Sequence, residues 1–182
     1  MKSFFEDRKL NSLTKRMQKG DSRAAEELYG LMVNKVFGFC MNRVSHRQTA
    51  EDLSQEIFLK LIDRIETFDE RRGSFSVWFW QLARNTVTDH YRLKQEITFV
   101  DIGDEAVVER AGTSDPSAEH SWELGRVKEF LKTLGPEEQE LFELRFVADL
   151  SYRNIARVLG KSEGSLRVAV NRLKDKVQEK LQ

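Results

Sequence analysis

Apolar residues recur every three or four positions along Thr49–Phe68, the strongest amphipathic pattern in the chain. The segment reads TAEDLSQEIFLKLIDRIETF. At about 100° per residue it gathers Ala50, Leu53, Ile57, Phe58, Leu61, Ile62, Ile65 and Phe68 onto one face, the spacing of a helix. Two prolines and ten glycines in 182 residues predict an all-α fold with few hairpins. Opposite the apolar face lie Asp52, Gln55, Glu56, Asp63 and the apolar Leu59. Acids four residues apart repel by about a few tenths of a kcal/mol, and an exposed leucine gains nothing from water. A merely solvated face has this pattern, and so does a strip that docks on a basic helix of another protein.

The next stretch, Gly73–Lys94, reads GSFSVWFWQLARNTVTDHYRLK and holds two of the three tryptophans. Wound as a helix, it places Phe75, Phe79, Leu82, Ala83, Val87 and Leu93 on a broad apolar face. Gln81, Arg84, Asn85, Thr88 and Arg92 form a narrow opposite stripe, bordered by Trp78 on one side and by Trp80 and Tyr91 on the other. Cations take phosphate, amides read base edges, and flat rings receive unstacked bases, so the stripe suits single-stranded nucleic acid. An ordinary amphipathic helix with core tryptophans has the same pattern, and this helix alone does not choose. The preceding Phe68–Ser74 reads as a loop that delivers Arg71 and Arg72 beside the aromatic helix, where a splayed base could be pocketed, and ends in a Gly73-Ser74 helix start.

Leu10–Lys19 predicts a short helix stopped by Gly20, and Asp21 or Ser22 can cap the next one, with Leu28, Leu31, Met32, Val36 and Phe37 inward. Gly30 and Gly38 weaken that helix, and close packing against a neighbour would account for them. Cys40 is the single cysteine, which excludes an internal disulfide and a multi-cysteine zinc site, and its spacing from Val36, Phe37 and Val44 predicts a buried thiol. No apolar run approaches the roughly 20 residues that cross a bilayer. The start, Met1-Lys2-Ser3-Phe4-Phe5-Glu6-Asp7, meets acid too early for a secretory signal, so a cytoplasmic protein without membrane insertion is expected.

Net charge is zero, but its distribution is not uniform. Residues 1–94 carry 17 Lys and Arg against 13 Asp and Glu, a net +4. Residues 95–121 carry one against seven and lose the helical period, as a flexible acidic linker would. Residues 122–182 carry 12 against 10, with a net +5 over residues 150–182. Two domains, 1–94 and 122–182, on either side of a linker at 95–121 are therefore expected.

In the second domain, Trp122–Leu134 predicts a helix with Leu124, Val127, Leu131 and Leu134 inward. Pro136 opens another that runs through Phe146 and buries Leu141, Phe142 and either Leu144 or the stem of Arg145. Ser151 then caps a helix of about two turns carrying Ile155, Ala156 and Leu159, Gly160 turns the chain, and Ser162 caps a longer helix with Leu166, Val170, Leu173 and Val177 inward. Helix, glycine turn, helix is helix-turn-helix geometry. On the second helix Ser165, Arg167, Val168, Asn171 and Arg172 point outward near the amino end, where base edges are read in the major groove. Lys161, Lys174 and Lys176 are placed for phosphates.

Taken in order, AEDLSQEIFLKL, SVWFWQLARNTVTDHYR, an acidic linker, LGPEEQELFELRF and LSYRNIARVLGKSEGSLRVAVNRLK resemble the group 4, or extracytoplasmic-function (ECF), sigma factors of bacterial RNA polymerase. The resemblance runs from about Leu13 to Leu181 and implies two helical domains, sigma region 2 and sigma region 4. It implies that Asp52, Gln55, Glu56 and Leu59 meet core polymerase at the β′ clamp helices, with the β subunit a further partner. It assigns Trp78 to wedging the minus-ten duplex open, and Arg84, Asn85, Asp89 and Arg92, with Thr88 alongside, to an RNxxxDxxR signature facing non-template promoter DNA. It also implies that the loop with Arg71, Arg72 and Ser74 holds a flipped base, and that Arg167 and Arg172 contact the minus-thirty-five element beside Lys161, Ser165, Val168 and Asn171. An anti-sigma factor is a common partner in such a family. Two departures stand out: GSLRVAVNR replaces the usual GTV(K/R)SR, so Val168 and Ala169 remove a hydroxyl and a cation, and Arg153-Asn154 replaces an acidic pair.

An enzyme is the first rival reading. His46, His90 and His120 are isolated, no carboxylate pair converges and no phosphate loop occurs, so no catalytic group, metal or cofactor is expected. A stand-alone helix-turn-helix repressor or activator is the second, and it leaves the stripe from Trp78 to Arg92 and the acidic face from Asp52 to Glu56 without employment.

Overall fold

The computed structural model describes residues 2–44, 46–100, 130–131 and 133–181, and side chains within 6–93 and 130–179 of these. The chain divides into two compact units, Arg8–Gly112, and Met1–Asp7 with Thr113–Gln182. Every regular element among the described residues is helical, in keeping with the all-α expectation. These are α1 (Lys2–Met17), α2 (Ser22–Met41), α3 (Arg47–Arg64), α4 (Phe75–Val100), α5 (Pro136–Phe142), α6 (Tyr152–Leu159) and α7 (Glu163–Leu181). A 3₁₀ turn, Ile65–Thr67, follows α3, and a widened π turn, Glu143–Val147, follows α5.

In the Arg8–Gly112 unit, α3 packs on both α2 and α4. Asp21 caps α2 by accepting from the N–H groups of Arg23 and Ala24. Its carboxyl is held below the ordinary value by the Arg16 guanidinium, with the Ala24 N–H adding to the effect. The core combines Leu28, Met32, Val36, Phe39 and Cys40 from α2 with Leu53, Ile57 and Leu61 from α3, and Phe75, Phe79, Trp80 and Val87 from α4. Cys40 is buried, as its spacing predicts. The close packing expected at Gly30 is not there, for a Cβ at that position would meet open space.

Four sequence expectations need correction. First, α1 begins at Lys2 instead of Leu10, since no glycine or proline interrupts the earlier residues. Second, α4 runs through Val100, so the segment expected to lose its helix at Gln95 keeps it for six residues. Ile97, Thr98, Phe99 and Val100 cost a helix only tenths of a kcal/mol each, roughly, and no glycine occurs between Gly73 and Gly103. The remainder of the expected linker, and the helix expected from Trp122 as far as Glu129 with Leu124 and Val127, lie outside the described residues. Third, Ile62 and Leu93 were expected inside, but they are 60% and 58% exposed. The buried arc of α3 ends at Phe58, and Ile62 falls about 40° beyond it at 100° per residue. Ser54 sits inside the arc instead, its hydroxyl donating to Ala50 O at 2.6 Å. Fourth, Trp80 is buried, with Phe39, a residue absent from the expected core, edge-on to it at 5.3 Å.

The other unit is built around α7. Pro136 opens α5 with Glu138 hydrogen-bonded back to Gly135 N. Leu144, Ala148 and Leu150 bury while the chain reverses through the π turn and Asp149, whose φ is 55°. Leu141 is buried and Phe142 partly so, and of the alternative pair Leu144 is the deeply buried one. Ser151 caps α6 by accepting from Asn154 N, and Gly160 at φ 67° supplies the left-handed turn into α7. Leu166, Val170 and Leu173 face in. Lys161 and Lys176 reach from the α6–α7 hairpin to Glu137 and Glu138 of α5, each at 2.6 Å.

Replacing Trp80 by Ala should lower unfolding free energy by about 3–5 kcal/mol in urea melts, whereas Ile62→Ser should change it by less than about 0.5 kcal/mol. The Lys161 and Lys176 ammonium groups hold the Glu137 and Glu138 carboxyls below their ordinary value near 4.5. Stability from these pairs is therefore complete above that value and lost as pH falls through the lowered folded values. Glu138→Gln should lower the melting temperature at neutral pH and flatten its decline between about pH 5 and pH 3.

Candidate functional site

The aromatic helix α4 buries most of its circumference. Phe75, Ser76, Val77, Phe79, Trp80, Leu82, Ala83, Thr86 and Val87 are all buried. What remains is a strip at steps of three and four: Trp78, Gln81, Asn85, Thr88 and Arg92, with Arg84 half-buried beside it and Asp89 exposed. Trp78 heads the strip. One part of its ring is seated against Phe68 and Phe75, at 5.7 and 5.9 Å, and the rest is accessible. Tyr91, 42% exposed, lies near the other end. Trp80 does not border the strip as expected, since it packs on Phe39 and on Phe79, at 5.3 and 5.7 Å. A face 200° away from Trp78 by helical winding meets a neighbouring helix here and not solvent. The strip is thus ring-edged by Trp78 and Tyr91. The Thr88 hydroxyl donates to Arg84 O at 2.9 Å, which leaves Thr88 its acceptor lone pairs for any ligand.

The loop before α4 is braced from inside and from outside. Asp69 Oδ1 accepts from Arg71 N at 3.0 Å and from Arg71 Nε at 3.2 Å, and the Arg71 backbone N–H, then its guanidinium, hold that carboxyl below the usual range. Arg71 and Arg72 are exposed, while Ser74 is half-buried with its Oγ buried and without a hydrogen bond. The expected Gly73-Ser74 helix start therefore makes no side-chain cap through Ser74. The Phe75 N–H donates to Asn11 Oδ1 of α1 at 2.8 Å. Gln18 Nε2 donates to Ile65 O and Phe68 O, at 2.8 and 2.9 Å. Asn11 and Gln18 escaped the sequence reading because their partners lie about fifty to sixty positions away, and an exposed-looking amide near a helix end carries no signal of that.

On α3, Asp52, Gln55, Glu56 and Leu59 all stand exposed on one face, Leu59 at 62%. Ile62 extends the apolar end of this strip. Gln48 donates to Asp52 at 3.1 Å and Lys60 pairs with Glu56 at 2.7 Å, which are exposed contacts that a partner's cation could replace at little cost. Such a strip offers acceptors around two solvent-facing aliphatic side chains, a pattern suited to a basic helical partner.

Lys161, Ser165, Arg167, Val168, Asn171 and Arg172 are all exposed at the amino half of α7 and its preceding turn. Ser162 Oγ caps α7 through Ser165 N at 3.2 Å, and Ser165 Oγ donates to Ser162 O at 2.9 Å. Lys161 is tied to Glu137, so a phosphate would have to displace a carboxylate there. Arg167 lies 4.9 Å over the Tyr152 ring and 3.8 Å from Glu163, and Arg145 lies 5.3 Å from the same ring. Tyr152 is the residue the sequence reading missed in this unit. An aromatic side chain in the first turn of α6 holds the guanidinium of α7 outstretched before any ligand arrives.

Tyr152→Leu should release Arg167. Its Nε–H resonance should lose the ring-current shift that this contact predicts for the parent chain, with about 0.5–1 kcal/mol of stability lost; equal shifts in the two chains would separate the two side chains in solution.

The chain is similar to known proteins in sequence and in fold. Residues 28–97 match the family model for Sigma-70 region 2, and residues 124–177 match that for Sigma-70, region 4. The ECF RNA polymerase sigma factor BldN of Streptomyces coelicolor is 34% identical over 162 residues, which are 87% of this chain and 61% of BldN. The ECF RNA polymerase sigma factor SigW of Bacillus subtilis is 24% identical over 176 residues, 92% of this chain and 94% of SigW. The fold is similar to that of the sigma factor RpoE in its co-crystal with the anti-sigma factor NepR from Bartonella quintana, with a TM-score of 0.69 at 21% identity over 86% of this chain and 95% of RpoE. Both regions are matched, in the order and at the places where the two exposed strips and the helix-turn-helix lie, and the chain belongs to the ECF sigma factors of the sigma-70 family, the sigma factors of RNA polymerase.

Proposed function

We propose that this sigma factor divides promoter opening among three surfaces. Asp52, Gln55, Glu56 and Leu59, extended by Ile62, dock on the β′ clamp helices of core RNA polymerase, whose basic side chains would replace Gln48 and Lys60 as partners of the acids. Trp78 wedges the minus-ten duplex, Arg84, Asn85, Thr88 and Arg92 hold the non-template strand, and Arg71, Arg72 and Ser74 receive a flipped base. Lys161, Ser165, Arg167, Val168, Asn171 and Arg172 read the minus-thirty-five element, Val168 by apolar contact only, for instance with a thymine methyl. Residues 1–94 and 122–182 serve as regions 2 and 4, and residues 95–121 span the distance between their two sites while a β-subunit surface supports the second. The factor works in the cytoplasm, has no catalytic centre of its own, and is held in check by an anti-sigma factor, the kind of partner RpoE has in its co-crystal. No helix among the described residues is long and apolar enough to cross a membrane.

The exposed strip from Trp78 to Arg92 carries this reading. A helix that buries most of its circumference keeps a ring, an amide and cations in line toward solvent, which a duplex-binding repressor has no use for.

Run-off transcription with purified core polymerase and a promoter library tests the reading. Active promoters should appear with the parent chain, and Asn85→Ala should spare upstream binding while reducing open-complex formation. Asp52→Arg with Glu56→Arg should abolish co-elution with core at an unchanged melting temperature. Transcripts absent from the parent reaction, or equal loss of both steps in Asn85→Ala, would refute it.

A further inference from the structure

We propose that Asn11 and Gln18 of α1 are positioning residues for strand capture: they brace the Asp69–Ser74 loop from outside and so fix where Arg71 and Arg72 stand ahead of Trp78. The proposal rests on the capture role assigned above to this loop, and goes beyond it by assigning function to a helix that precedes the matched residues 28–97.

Asn11, Lys15 and Gln18 follow one another at steps of four and three, on one face of α1 and its terminal turn. Each meets a different part of the connection between α3 and α4. Gln18 Nε2 takes the carbonyls of Ile65 and Phe68, at 2.8 and 2.9 Å, where α3 unwinds. Lys15 pairs with Glu70, and Asn11 Nδ2 donates to the same carboxylate at 3.3 Å. The Lys15 ammonium, chiefly by hydrogen bonding, holds the Glu70 carboxyl below its ordinary value. Asn11 Oδ1 takes the Phe75 N–H at 2.8 Å, where α4 starts. One helix face thus holds both ends and the middle of the loop that carries Arg71, Arg72 and Ser74.

The division of labour at the start of α4 is the informative part. A serine before a helix ordinarily turns its oxygen onto the N–H groups of the first turn. Ser74 has the right residue type and position, yet its Oγ makes no hydrogen bond while buried, an arrangement that costs free energy. Asn11, from another helix, serves the Phe75 N–H instead. Trp78 N donates to Ser74 O at 3.3 Å, so the idle hydroxyl sits one turn ahead of the half-exposed ring, with Arg71 and Arg72 next in sequence. A base resting on Trp78 would have the exposed guanidinium groups of Arg71 and Arg72 beside it, each able to donate to its edge or its phosphate. A loop free to shift would place these guanidinium groups differently from one molecule to the next and would lose base discrimination first.

The test uses the full chain with core polymerase and one promoter recovered by run-off, made in four versions that differ at the flipped non-template base. The parent should open one version preferentially. Asn11→Ala should flatten that preference about tenfold while binding core as before, and Asn11→Asp, which keeps the acceptor for Phe75 N–H but sets a second carboxylate beside Glu70, should flatten it less than Asn11→Ala does. Gln18→Met removes the donor at similar length and should flatten the preference too, so the proposal stays testable if Asn11→Ala fails to fold. Equal loss on all four promoters, tracking lost melting temperature, would make α1 a structural strut only and overturn the proposal. Where Asn85→Ala impairs opening but neither α1 variant alters preference, this proposal alone fails; where Asn85→Ala has no effect on opening, the capture reading fails and takes this one with it.

Discussion

The burial of Trp80 sets the rotation of α4, and nearly everything else in the Arg8–Gly112 unit depends on it. The ring sits edge-on to Phe39 of α2 and to Phe79, and Phe79 stacks on Phe75, which touches Phe68 and Trp78 in turn. Aromatic side chains bury large areas and prefer such tilted contacts, so this run of rings resists rotation of the helix about its axis. A helix that cannot rotate presents one line of residues to solvent. Trp78, Gln81, Asn85, Thr88 and Arg92 occupy that line because Trp80 occupies the interior.

A second constraint acts on the polar groups. Helix ends leave N–H and C=O groups without partners, and the protein meets this with side chains drawn from different distances. Asp21, Ser151 and Ser162 serve their own helices from within a few residues. Asn11 and Gln18 serve the ends of α3 and α4 from across the chain. The local caps stabilise single helices, whereas the distant ones fix one element against another, and only the latter can hold a loop in a set position. On the surface, exposed pairs such as Lys60–Glu56 and Arg167–Glu163 contribute little to stability and are readily exchanged for a partner's charges.

Much of this was legible beforehand. The acidic face of α3, the polar line of α4, the capped start of α6 with Ser151, the left-handed Gly160 and the outward set on α7 all follow from helical spacing and residue type. Three misreadings share one cause. Trp80 was placed at the edge of the strip, and Ile62 and Leu93 in the core, because hydrophobicity and angle were the only guides. On α4 the buried arc is wide along Phe75–Val87 and takes in Trp80 at its margin, while Leu93 lies past that packed length. On α3 the arc is narrower and sheds one. The width of the arc belongs to the neighbours, not to the helix.

By itself, then, the amino-acid order determined which segments are helical, which side chains carry charge or rings along each helix, and where local caps stop them. These depend on interactions within a few residues, which a period of 3.6 and a capping side chain express directly. Tertiary structure alone decided which tryptophan is buried and which waits in solvent, that Asn11 caps a helix sixty-odd residues away and leaves Ser74 idle, and that Tyr152 holds Arg167 outstretched. Those outcomes rest on contacts between residues far apart in sequence, and no local pattern encodes the distance between two side chains until the helices that bear them have packed.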